Sequence, residues 1–116
     1  MQEYFNTDTQ YYFETPPYCD ILRAISSGSE NARHKSELLR LTGMQDRELR
    51  KLIEFLRRKG IVIISDINGY YFPADEAELK AYIAQESSRA RSVFYTLRSA
   101  KNLLRRLEEA YFGGEK

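Results

Sequence analysis

The sequence predicts a mainly α-helical protein with one small β-hairpin, and three observations predict it. Between residues 19 and 60, leucine and isoleucine recur at three- and four-residue spacing in short runs separated by glycine and polar turns. Two β-rich runs, Ile61-Val62-Ile63-Ile64-Ser65 and Tyr70-Tyr71-Phe72, bracket the turn residues Asp66-Ile67-Asn68-Gly69. From about 75 to 111 no glycine or proline interrupts a stretch rich in strong helix formers.

The first eighteen residues, MQEYFNTDTQYYFETPPY, hold six aromatics without helical spacing, and Pro16-Pro17 bars a helix from running through. They are expected to form an extended arm that docks on its own domain or on a partner, since disordered segments are normally poor in aromatics. The repeated Tyr-Tyr-Phe of 11–13 and 70–72 suggests that the arm adds a strand to a sheet edge. A short helix follows over 19–26 with Ile21, Leu22 and Ile25 inward. A second helix is expected over 35–42, burying Leu38, Leu39 and Leu41 and ending at Gly43. The third begins near Gln45 after a brief turn, turns Leu49, Leu52, Ile53 and Leu56 inward, and ends at Gly60. In the hairpin, Asn68-Gly69 is the turn signal because both residues tolerate positive φ. Pro73 closes the second strand, and Asp75 stands where it can cap the long helix.

Within that helix Leu79, Ile83, Glu86, Ala90, Val93, Leu97, Ala100, Leu104, Leu107 and Tyr111 alternate spacings of four and three, which is a heptad seam. Glu86 interrupts it inside Gln85-Glu86-Ser87-Ser88, the expected place for a kink or for the helix to leave the globular part. The organisation read from this is an aromatic arm over 1–18, a globular domain over 19–84 and a C-terminal helix over 85–116. Val93, Leu97, Leu104 and Leu107 are the residues expected to make a homodimer.

A chain of 116 residues suits one core with appendages, and 42% hydrophobic with 30% charged residues is the composition of a soluble globular protein. A formal net charge of +1 supplies no whole-molecule attraction to nucleic acid or membrane. No apolar run approaches the length of a membrane span and no secretion signal is visible, so a cytoplasmic location without a membrane partner is expected. Cys19 is the only cysteine, which excludes an intrachain disulfide and marks it as a small buried residue. The charge is nonetheless segregated. Residues 33–60 carry Arg33, Lys35, Arg40, Arg47, Arg50, Lys51, Arg57, Arg58 and Lys59 against Glu37, Asp46, Glu48 and Glu54, while 89–106 hold six cations and no acid. Alternating blocks of this kind either pair with one another or serve phosphate.

Helix, helix, short turn, helix, hairpin is the order of a winged helix-turn-helix, in which two helices prop a third so that its outer face enters a major groove and the hairpin reaches the backbone. Residues 31–79 resemble small winged-helix proteins of phages and prophages of Gram-positive bacteria. The resemblance is carried by Asn31-Ala32 with Glu37-Leu38, by Leu41 with Gly43-Met44, by Arg47, Arg50, Ile53, Leu56 and Arg57, and by Gly69-Tyr70-Tyr71 with Pro73. Arg33 and His34 depart from it, standing where the family has an apolar and a small capping residue. This argues against a short first strand of the wing sheet and leaves an edge for the aromatic arm.

On that reading the partner is double-stranded DNA. Gln45, Arg47 and Arg50, in the first half of the third helix, are the candidates for base edges, because arginine binds guanine and glutamine binds adenine through paired hydrogen bonds. Lys35, Arg40, Lys51 and the wing around Asn68 are the candidates for phosphate. Arg57, Arg58 and Lys59 complement the C-terminal end of the helix dipole, and Phe55, off the core arc, is free to meet the arm or a partner chain. The expected function is a dimeric transcriptional regulator or replication-associated protein of a phage or mobile element. The alternative is a protein-interaction module on the same scaffold without DNA binding. His34 is the only histidine and has no companion at ligand or triad spacing, and no glycine-rich phosphate loop occurs. An enzyme, a metal, a cofactor and a small-molecule substrate are therefore not expected.

Overall fold

Helix and hairpin boundaries in the computed structural model, which describes residues 9–113, follow local sequence closely from residue 18 onward. The chain divides between Leu79 and Lys80 into two units, a little before the boundary read from the sequence at 84–85.

The first unit begins with a departure from expectation. Residues Gln10–Glu14 form a short helix, α1, in place of an extended arm, and its YYF segment therefore adds no strand to a sheet. The physical reason is tertiary. Tyr12 and Phe13 pack against the core, and the Tyr12 ring meets Tyr18 and Phe55 edge-on at centroid distances of 5.1 and 5.7 Å. A single turn of helix delivers these rings to one surface, at little intrinsic propensity. The docking expected of the aromatic segment is thus realised on its own domain. Its first eight residues, with Tyr4 and Phe5, lie outside the described residues.

Helix α2, Tyr18–Ala24, buries Cys19, Ile21 and Leu22, and Ile25 follows buried just past its end. A 3-10 turn at Ser29–Asn31 leads to α3, Lys35–Thr42. Gly43 ends α3 at φ 72°, its N–H donating to the Leu39 carbonyl, as a left-handed C-terminal cap does. Leu38 is fully buried and Leu39 packs on the core, but Leu41, expected inside, is 47% exposed. Helix α4, Asp46–Arg58, buries Leu49, Ile53 and Leu56 with Leu52 beside them, the stripe its spacing predicts.

Strands β1, Ile64–Asp66, and β2, Gly69–Tyr71, pair antiparallel with Ile64 opposite Tyr71 and Asp66 opposite Gly69. Ile61 and Ile63, placed by sequence in the first strand, lie outside this ladder yet are fully buried in the core. The turn also differs from expectation. No non-glycine residue among those described has positive φ, so Asn68 does not take that conformation. The Asp66 carboxylate instead accepts the Asn68 N–H at 2.8 Å, closing the turn through a side chain, and Gly69 alone takes the positive φ, at 118°.

The other edge of β2 is occupied. Arg33 exchanges two backbone hydrogen bonds with Tyr70, at 3.0 and 2.8 Å, and Phe72 bonds both Ser26 and Gly28. Arg33, judged from sequence to disrupt a first strand, thus supplies that pairing, because only its backbone is needed and its guanidinium turns to Glu37 at 2.7 Å. The aromatic segment has no edge to fill there.

Helix α5, Glu76–Gly113, starts in a reciprocal cap. The Asp75 carboxylate accepts the Glu78 N–H at 2.9 Å, and the Glu78 carboxylate accepts the N–H groups of Ala74 and Ser29 at 2.9 and 3.0 Å. Those two backbone donors hold the Glu78 carboxyl below its ordinary value, and they tie the helix start to the 3-10 turn. In the second unit, from Lys80 on, α5 is helical without a break through Gln85–Ser88. No helix among the described residues is long and apolar enough to cross a membrane.

Candidate nucleic-acid interface

Helix α4 presents the candidate surface, because burying Leu49, Ile53 and Leu56 turns the opposite positions outward. Gln45, Arg47, Arg50, Lys51 and Arg58 are all exposed. Their engagement divides them. Arg50 reaches Asp46 at 3.3 Å, and Lys35, from the first turn of α3, reaches the same carboxylate at 3.0 Å. Asp46 thereby joins the beginnings of two helices, and the Lys35 ammonium, followed by Arg50, holds its carboxyl below the usual range. Arg40 lies 4.0 Å from Glu37, which Arg33 already engages, and remains largely exposed. Arg58 pairs with Glu54 at 2.7 Å. Among the described residues, the side chains of Gln45, Arg47 and Lys51 make no hydrogen bond or ion pair.

Arg47 and Lys51, four positions apart on the outer face of α4, are therefore exposed and unengaged, as is Gln45, the extended residue that precedes the first turn, whereas Lys35 and Arg50 share a neutralising carboxylate. The i,i+4 spacing of Asp46 and Arg50 was readable in the sequence. The Lys35 contact was not, since it depends on how α3 and α4 meet.

In the hairpin turn, Asn68 is exposed and Ile67 beside it is 92% exposed, forming the tip. A cleft of about 330 Å³ lies between the hairpin and the start of α3, lined by His34, Lys35, Ser65, Asp66, Gly69 and Tyr70. His34 is the N-terminal flanking residue of α3, but its side chain makes no capping hydrogen bond. Tyr71 donates to Asp66 at 2.6 Å, and burial together with that carboxylate pushes the phenol up to about 12. The carboxylate that closes the hairpin turn is thus satisfied twice.

Arg57 has a role that sequence did not reveal. Its Nε donates to the Ile63 carbonyl at 2.8 Å and an Nη to Ser65 Oγ at 3.1 Å, so it ties α4 to the hairpin instead of merely ending a helix. Phe55 stacks on Tyr18 at 5.4 Å, with the Lys59 ammonium over its ring at 5.4 Å from the centroid. It meets the aromatic segment, one of the two partners expected.

On α5, described by itself, Val93, Leu97, Leu104 and Leu107 are 52–59% exposed on one side of the helix. Among the described residues no group of three or more His, Cys, Asp or Glu side chains is placed to hold a metal ion. Comparison with known families, with curated proteins and with solved structures finds no match.

Proposed function

We propose that residues 19–84 form a winged helix-turn-helix that binds double-stranded DNA, with α4 in the major groove and the hairpin against the backbone. The observation that carries this reading is the pair of exposed, unengaged cations Arg47 and Lys51 on the outer face of a helix whose inner face is locked into the core, with unengaged Gln45 just before its first turn. Gln45 and Arg47 meet base edges near the helix start, and Lys51 and Asn68 meet phosphate. Lys35, Arg40 and Arg50 join them as their carboxylate partners exchange for phosphate oxygens. The protein acts as a homodimer through Val93, Leu97, Leu104 and Leu107, in transcriptional regulation or replication of a phage or mobile element. The motifs shared with small phage and prophage winged-helix proteins support that setting. The binding chemistry uses no cofactor.

Fluorescence anisotropy with labelled duplex DNA at increasing salt tests the proposal. Affinity should fall steeply with salt and should drop in an Arg47→Ala, Arg50→Ala double variant. No affinity at low salt, or equal affinity in the variant, refutes it. Light scattering tests the dimer, and a monomer mass at high concentration removes it.

A second reading is favoured by one observation: Asp46 neutralises two of the seven proposed contacts. In it the winged scaffold binds a protein instead, and duplex DNA gives no signal at low salt.

A further inference from the structure

Helix α5 carries a second array of cations that the α4 surface does not explain. Placed on a helix at 100° per residue, Arg91, Arg98, Lys101 and Arg105 fall within an arc of about 80°. This arc borders one flank of the Val93, Leu97, Leu104 and Leu107 side. The opposite flank is Ser92, Thr96, Ser99 and Leu103, bordered by Arg89 and, toward the back of the helix, by Arg106, and the Thr96 hydroxyl turns back to the Ser92 carbonyl at 3.1 Å. Four of the six cations between 89 and 106 thus lie on one side.

The charge on this side is also unneutralised. Arg89, off the arc, pairs with Glu86 at 3.4 Å, but the four arc residues form no ion pair among the described residues. Arg91, Arg98 and Lys101 have no acid three or four positions away, and none occurs between Glu86 and Glu108. Arg98 and Lys101, then Lys101 and Arg105, stand at the intervals where like charges destabilise a helix. A face kept merely wet is built from alternating signs, which remove this repulsion. An amphipathic helix lying on an anionic membrane carries cations along both borders of its apolar side, where they reach the headgroups. Here one border carries only Arg89, already paired with Glu86. A rod-like polyanion running along one side of the helix matches the arrangement, and the stripe from Arg91 to Arg105 is roughly 21 Å long, about the axial span of six phosphates of one duplex strand.

We infer that Arg91, Arg98, Lys101 and Arg105 form a second phosphate-binding surface, which grips a nucleic-acid backbone without reading its sequence. The inference rests on the proposed DNA binding for the identity of the polymer, but not on which α4 residues do the reading.

The test uses the full chain with Arg91→Gln, Arg98→Gln and Lys101→Gln together, with an Arg91→Lys, Arg98→Lys variant as a charge-preserving control. Anisotropy is measured on duplexes of two unrelated sequences across a salt series, with light scattering in parallel. The slope of log affinity against log salt should become shallower by roughly 2–3 in the glutamine variant, at about 0.9 for each phosphate no longer neutralised. The mass and the preference between the two duplexes should stay unchanged, and the lysine control should keep the wild-type slope. An unchanged slope overturns the inference. So does a shallower slope accompanied by a halved mass, which assigns the stripe to self-association. Loss of binding to phosphatidylserine vesicles with DNA binding intact assigns it to membranes and equally overturns it. If the stripe changes the slope while Arg47→Ala, Arg50→Ala leaves both affinity and preference untouched, the α4 assignment fails and the stripe stands. A wild-type chain without DNA affinity removes both.

Discussion

Replacing Gly69 by alanine probes the joint on which the hairpin depends. At φ 118° the residue has a backbone conformation that L side chains rarely adopt, and an added Cβ would overlap the Arg33 carbonyl group, 2.6 Å from its carbon, and stand 3.0 Å from the His34 nitrogen. The conformation alone costs about 1–3 kcal/mol. Relieving the overlap by separation breaks the two hydrogen bonds between Arg33 and Tyr70, at 3.0 and 2.8 Å, which contribute about 0.5–1.5 kcal/mol each. The sum, about 2–6 kcal/mol, is a large fraction of the roughly 5–15 kcal/mol that keeps a domain folded. Gly43 supplies the control. It too has positive φ, 72°, but a Cβ there meets nothing within 4 Å, so Gly43→Ala should cost only about 1–2 kcal/mol. Urea unfolding followed by circular dichroism measures both, and the Gly69 midpoint should fall well below that of Gly43→Ala. Equal midpoints would refute this, because they would mean that contact between the hairpin and the Arg33 backbone adds nothing.

Three further outcomes follow from contacts around the candidate surface. Asp46→Asn should raise duplex affinity by about threefold at low salt, since a carboxylate roughly 7 Å from a phosphate repels it even in a water-like dielectric and the effect fades with screening; unchanged affinity in anisotropy titrations would place the start of α4 away from DNA. Arg57→Ala should cost about 1–3 kcal/mol in denaturant unfolding, and Arg57→Lys should not restore it, since an ammonium cannot span both acceptors as the guanidinium does. Tyr71 ionises at about 12 in the folded protein against an ordinary value of 10. The folded state thus favours the neutral phenol, so its contribution is complete below pH 10 and is lost as pH rises toward 12. An ultraviolet titration should show this late tyrosine step, and Tyr71→Phe should remove it.

Much of the first unit was legible because short-range chemistry and tertiary packing agree there. The second and third helices, α3 and α4, occupy the expected stretches, since Leu38, Leu49, Ile53 and Leu56 keep helical spacing and Gly43 supplies the left-handed cap. Asp75 caps α5 as its position in the sequence suggests. What escaped depends on contacts between distant residues. Helix α1 has no periodicity to announce it and exists where Tyr12 and Phe13 find Tyr18, Phe55 and the core. The Arg33 pairing was misjudged from side-chain type, although a backbone bridge is indifferent to it. Of the candidate contacts, outward position on α4 was readable from the wheel. The difference between unengaged Arg47 and Lys51 and the pair held by Asp46 was not, because the Lys35 contact spans two helices.

The ties at both ends of α4 bear on the entropy of any encounter at its outer face. Lys35 holds the first turn through Asp46, while Arg57 and the stack of Phe55 on Tyr18 hold the last turns. The backbone of this helix is therefore ordered before a ligand arrives, and association needs to immobilise only a few side chains, each at about 0.5–1.5 kcal/mol. Binding at this face should accordingly lower the heat capacity in proportion to the apolar area covered, without the much greater decrease that accompanies folding of a segment on its partner.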